Sequence, residues 1–181
     1  MARRGAPFAG LLYAGLALTT RGVRVVEFNA RFGDPETQPL MALLDSPLAA
    51  LLKAAADGYL HEVDPPRWKA GAAVAVVMAS AGYPESSSKG DVIIGTETLA
   101  HEVDVDVIHA GTADRDGALV TAGGRVLAVT AVGKDVADAR AKAYEGISSI
   151  SFPGAQWRTD IAGDVGDDQQ DPSSAEQGDP R

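Results

Sequence analysis

The stretch "RVVEFNARFGDPETQPLMALL", residues 24–44, decides how the amino-terminal part of this 181-residue chain is read. On a β-strand, side chains two positions apart share a face. Glu27, Asn29 and Arg31 therefore point one way, and Val26, Phe28, Ala30 and Phe32 point the other. Neighbouring members of the polar row lie ~6.6 Å apart along the backbone, from a rise of about 3.3 Å per residue. A carboxylate and an amide oxygen at that spacing suit Mg²⁺, a hard cation that takes oxygen ligands and shares them with phosphates. Arg31 adds a planar fork of donors suited to a phosphate or carboxylate. A solvated strand face is the competing reading of the same alternation. Residue type counts against it, because asparagine is a poor strand former to place between two charges.

Working outward, residues 8 to 19 and 23 to 32 read as two antiparallel strands joined around Thr20 to Gly22. Gly33 permits close backbone approach, Asp34 offers a helix cap, Pro35 suits the first turn, and Glu36 lies beside the positive end of the helix dipole. Two short helices follow, broken by Pro39 and Pro47. Leu48, Leu51, Leu52 and Ala55 form the stripe of the second, which stops at Asp57-Gly58. The apolar run from Phe8 to Leu18 behind Arg3 and Arg4 imitates a secretory signal, but the β-rich continuation favours a strand. It is also too short to span a bilayer, which takes ~20 apolar residues.

"HEVDPPRWKAG", residues 61–71, is polar and proline-containing, and the periodicity changes after it from helical to strand-like. Residues 1–60, 72–160 and 161–181 are therefore expected to be two lobes and a tail, with 61–71 as linker. The second lobe, with "AAVAVVMASAGY", "GDVIIG", "VDVIHAGTA" and "GALVTAGGRVLAVTAVG", reads as a small antiparallel sheet. A helix capped near Asp135 and running to about Ile150 covers it, so the expected fold class is α+β. Gly123-Gly124 reads as a type I′ turn and Lys89-Gly90-Asp91 as a hairpin turn. His109 reads as structural, and His61 and His101 carry still less chemical signal.

The formal charge of −9 divides unevenly. Residues 160–181 hold seven acids and one base, a balance of −6, leaving −3 for the rest. That leaves no basic stripe for a nucleic acid and no cationic face for an anionic membrane, so neither is an expected partner. The acidic end lacks aromatics and is expected to be disordered. With no cysteine there is neither a disulfide framework nor a thiolate site, which fits a cytoplasmic setting.

"VVEFNARFGDPETQP" closely resembles the signature stretch of the phosphoribosylamine–glycine ligases, ATP-grasp enzymes of purine biosynthesis. "FAGLLYAGLALT" before it, and "VVMASAGYP", "KGDVIIG", "HAGT" and "GGRVLAVTAVG" after it, resemble the same family in the same order. The resemblance covers roughly residues 7 to 160. It implies that ATP phosphorylates glycine and that 5-phosphoribosylamine attacks the acyl phosphate, giving glycinamide ribonucleotide, ADP and phosphate. Glu27 and Asn29 then match the ligands of Mg²⁺ or Mn²⁺, and Arg31 matches the arginine that stabilises the transferring phosphoryl group. Gly33, Asp34, Pro35 and Glu36 match a loop beside glycine and phosphoribosylamine.

The family's adenine pocket, glycine-rich lid and ATP-holding lysines precede this region, so the chain is expected to be the carboxy-terminal portion of the enzyme, its partner being the N-terminal part. Rival readings are another ATP-grasp carboxylate–amine ligase and a non-catalytic β-rich binding module.

Overall fold

The computed structural model describes residues 2–163. Residues 164–181, most of the expected acidic tail, lie outside the described residues. The fold is α+β, with antiparallel sheets and three α-helices among the described residues.

β1 (Tyr13–Thr19) and β2 (Gly22–Asn29) form an antiparallel ribbon turned at Thr20-Arg21. Gly22 closes the turn at φ 91°, a region open to glycine but costly for a side chain, and Thr19 Oγ1 donates to its carbonyl at 2.8 Å. The hairpin is the expected one, but the strands are shorter than 8–19 and 23–32. Residues 8–12 lie outside regular structure, and β2 ends at Asn29.

The simple alternation expected along β2 is also broken. Gly15 pairs with Glu27 but Leu16 pairs with Val25, so Val26 is an extra residue in a β-bulge. The bulge moves Val23 and Val25 onto the face that carries Phe28. That face is not core: Val23, Val25 and Phe28 are 57%, 56% and 60% exposed, with no cover among the described residues.

After the strand the chain turns at residues 33–36 into α1 (Thr37–Leu43). Asp34 is not the cap. Glu36 occupies that position without a side-chain bond, while Thr37 Oγ1 donates to Gly33 O at 2.6 Å and Gln38 Nε2 to Asp34 Oδ1 at 3.0 Å. Pro35 falls in the turn ahead of the helix. Pro39 does not break a helix; it sits in the first turn of α1, where its missing N–H is not needed. α2 (Leu48–Asp57) ends as expected, with Gly58 left-handed at φ 82°.

Residues 61–71 cross back along α1. Asp45 N donates to Arg67 O at 2.9 Å, and Lys69 N to Leu43 O at 2.8 Å. The second lobe is built on a three-stranded antiparallel sheet, β3 (Ala72–Ala79), β7 (Arg125–Gly133) and β4 (Val105–His109), in spatial order β3-β7-β4. Its central strand reads as a continuous apolar run because both faces are covered. Val74, Val76, Met78, Leu127 and Val129 meet Ala139, Ala143 and Ile147 of α3 (Val136–Ser148). α1 lies against β3 and β7 on the other face. α3 begins as its sequence implies, Asp135 accepting from Asp138 N at 2.8 Å.

β5 (Thr112–Arg115) and β6 (Ala118–Thr121) form a second ribbon, turned at Asp116-Gly117 with φ 54° and 80°. These two residues carry the left-handed hairpin turn expected at Gly123-Gly124, neither of which has positive φ. "GDVIIG" is not a strand: Val92 and Ile94 make single bridges to Val120 and Ser151, and Ile93 is buried between them. The last described residues are tied down. Ile161 and Ala162 pack against the core, and Arg140 donates to Thr159 O and Ile161 O at 2.8 and 2.9 Å.

Candidate functional site

Glu27 and Asn29 are brought together at the end of β2, where Asn29 Nδ2 donates to Glu27 Oε1 at 2.7 Å. Their cross-strand partners Gly15 and Tyr13 lie on the same face. A Cβ on Gly15 would come within 3.1 Å of Glu27 Cγ, so glycine there leaves the carboxylate room to turn. Arg31 does not share this row. It lies past the strand end, in a bend, where its Nη1 donates to Phe32 O at 2.7 Å.

The loop 33–36 returns Glu36 to the same neighbourhood. Glu36 folds over Gly33, whose missing side chain makes the space: a Cβ on Gly33 would meet Glu36 Cβ at 3.1 Å and collide with its carboxylate. On the other side Glu36 meets Tyr13. The half-buried position of Tyr13 raises its hydroxyl pKa above the ordinary value, and the charge and hydrogen bond of Glu36 and the charge of Glu27 add to the effect. Tyr13, which carries no motif signal, thus joins Glu27, Asn29 and Glu36; only the strand register reveals it.

Asp34 faces away from that cluster toward the second lobe. Arg125, first residue of β7, donates from Nη1 to Asp34 O at 2.9 Å, and its Nη2 lies 3.0 Å from Asp34 Oδ2. Pro35 lies between, against the wall that Arg125 helps to form. Arg125 carries no signal of its own in the sequence, where the glycines before it read as a turn. Those glycines instead allow close approach: a Cβ on Gly124 would run into the Tyr83 ring, and one on Gly111 would lie 2.8 Å from Gly123 Cα. His109 sits apart, its Nδ1 3.1 Å from Thr112 Oγ1.

Glu27 and Asn29 fit a hard divalent cation by donor type, since both offer oxygen from an open face. Among the described residues no group of three or more His, Asp or Glu side chains is placed to hold a metal. Such a cation would draw further ligands from elsewhere, as Mg²⁺ does from substrate phosphates.

The family model described as "Phosphoribosylglycinamide synthetase, C domain" matches residues 73–164, just over half of the chain. The chain belongs to the phosphoribosylglycinamide synthetase family. The family's ATP-grasp (A) domain model matches residues 1–37, up to and including the loop that carries Asp34 and Glu36. A phosphoribosylamine–glycine ligase from Streptomyces coelicolor is 56% identical over 164 residues, which are 90% of this chain and 39% of the relative. One from Mycobacterium bovis is 54% identical over 162 residues, 89% of this chain and 37% of the relative. A crystal structure of the Thermotoga maritima ligase matches with a TM-score of 0.68 at 37% identity, covering 83% of this chain and 36% of that one. The chain thus spans under two fifths of the length of these synthetase relatives. No helix among its described residues is long and apolar enough to cross a membrane.

Proposed function

We propose that this chain is the carboxy-terminal portion of a phosphoribosylamine–glycine ligase, contributing the metal pair and a substrate loop to a site completed by an N-terminal portion of the same enzyme. The Glu27–Asn29 pair beside the loop 33–36 carries the reading. ATP transfers its γ-phosphoryl group to a carboxylate oxygen of glycine, with ADP as leaving group. The nitrogen of 5-phosphoribosylamine then attacks the glycyl carbonyl carbon, phosphate departs, and the nitrogen loses a proton. Glycinamide ribonucleotide results.

Glu27 and Asn29 hold Mg²⁺ or Mn²⁺, which when bound neutralises charge on the ATP phosphates. Arg31 offers guanidinium donors to the transferring phosphoryl group or the acyl phosphate. Gly33, Asp34, Pro35 and Glu36 form the loop beside glycine and phosphoribosylamine. The division at residues 61–71 belongs to the same proposal, since the two family models fall on either side of it. So do a cytoplasmic setting and the cover of the exposed β2 face by the preceding portion. The test is a coupled ADP assay of the complete protein with phosphoribosylamine, comparing glycine with other carboxylic acids. Glycine-dependent ADP release supports the reading; equal turnover with another acid, or none with glycine, refutes it.

A further inference from the structure

The loop 33–36 has two sides, and only one faces the metal pair. Glu36 turns toward Tyr13, which pairs across the ribbon with Asn29, whereas Pro35 closes one side of a cavity of about 400 Å³ in the second lobe. Its other walls include Tyr83, Arg125, Gln156, Trp157 and Arg158. Tyr83 and Trp157 are each 39% exposed.

These walls are held firmly. Gln156 Nε2 donates to Ser80 O at 2.9 Å and to Tyr83 O at 3.0 Å, while the backbones of Gln156 and Ala79 exchange bonds of 2.8 and 3.0 Å. Gly124 leaves the Tyr83 ring its place. Each guanidinium meets an aspartate without using all its donors. Arg125 spends Nη1 and Nη2 on Asp34, and Arg158 spends Nε and Nη2 on Asp160. A guanidinium carries five N–H groups, so oriented donors remain on each.

We infer that this cavity is the subsite for a sugar phosphate, the rings of Tyr83 and Trp157 taking the C–H face of the sugar and the guanidinium donors of Arg125 and Arg158 taking the phosphate. The carboxylate partners of both arginines make the cavity a poor trap for a bare anion. A ligand must offer the phosphate and a body to lie on the rings. The site also places such a ligand across Pro35 from Glu36, so that a group on the sugar meets the loop that faces the metal pair. The inference rests on the ligase reading for which sugar phosphate matters, and not for the binding itself.

The experiment uses the ¹⁵N-labelled chain, whose two tryptophans give two indole N–H signals, Trp157 in the cavity and Trp68 outside it. Ribose 5-phosphate is the probe, with ribose, inorganic phosphate and adenosine monophosphate as comparisons. Ribose 5-phosphate is expected to shift the Trp157 indole saturably and leave Trp68 still. Ribose should fail, and inorganic phosphate should need at least about tenfold higher concentration. Arg158→Gln should weaken ribose 5-phosphate by about tenfold, with Arg158→Lys between the two because it keeps charge and loses the fork. The spectrum of each variant reports whether its fold is intact, and Trp157→Phe, read by calorimetry, tests the ring should Arg158→Gln unfold.

An unmoved Trp157 indole at ribose 5-phosphate concentrations on the order of 10 mM overturns the subsite. So does equal binding of inorganic phosphate, equal or tighter binding of adenosine monophosphate, or undiminished binding by folded Arg158→Gln. Sugar-phosphate binding by this chain, with no glycine ligation by the complete protein, would leave the subsite standing and sink the ligase reading. Ligation without this binding would do the reverse.

Discussion

Arg125→Met severs the one side-chain tie between the second lobe and Asp34 among the described residues, and its cost can be worked from the contacts. The ion pair to Asp34 Oδ2 is about two-fifths exposed on both sides, so it is discounted to the surface range, roughly 0.2–1 kcal/mol. The bond from Nη1 to Asp34 O is charge-assisted but open to water, and contributes about 1 kcal/mol. Together these give about 1–2 kcal/mol, on the order of a tenfold rise in local opening of the loop and the start of α1. Amide hydrogen exchange should show faster exchange across α1 with β3 and β7 unchanged. Asp34→Asn keeps the carbonyl bond and should cost at most about half as much, and a double-mutant cycle with Arg125→Met should give a coupling of about 0.2–1 kcal/mol. Unchanged exchange in α1, or strictly additive single effects, would refute the view that Arg125 holds the loop.

Three further outcomes follow from the packing and charge of the second lobe. Thr130 is buried between α1 and the sheet with its hydroxyl unpaired, so Thr130→Val should raise the urea midpoint by the equivalent of about 1 kcal/mol; a lower midpoint would mean the hydroxyl has a partner. Asp135→Ala removes the cap of α3 and should cost about 1 kcal/mol in the same assay, an unchanged midpoint counting against the capping bond. The Asp138 carboxyl is held below its ordinary pKa chiefly by the Lys134 N–H, with Lys142 adding to it. Its folded pKa is thus below the unfolded one, and the stability it contributes is present above the ordinary carboxylate range and lost as pH falls through the lowered value. Asp138→Asn should flatten that acid slope in urea melts at stepped pH, and an unaltered slope would contradict the assignment.

The hairpin, the Gly58 stop, the Asp135 cap and the apolar run of β7 were legible because each rests on local chemistry. Glycine at φ 82° and aspartate three residues ahead of a free N–H signal themselves without tertiary help. What misled was context. The adjacent valines 25 and 26 hide a bulge, which no alternation pattern can locate without the partner strand. Val92 and Ile94 look like strand residues, yet each meets a different partner and makes a single bridge. Of the candidate residues, Glu27 and Asn29 are two apart on a strand and meet as that spacing implies, whereas Arg31 lies beyond the strand end. Tyr13 and Arg125 reach the loop through cross-strand register and a contact 91 residues away, neither of which composition or spacing encodes.

The central claim, that Glu27 and Asn29 hold the metal for an ATP-dependent ligation, is tested most directly by Glu27→Ala in the complete enzyme. ADP release is measured with glycine, phosphoribosylamine and magnesium. Glu27 lies exposed on the ribbon, so the variant should fold as the parent does. The account predicts loss of metal-dependent turnover by a factor on the order of 100 or more. Near-normal turnover at ordinary magnesium would contradict it.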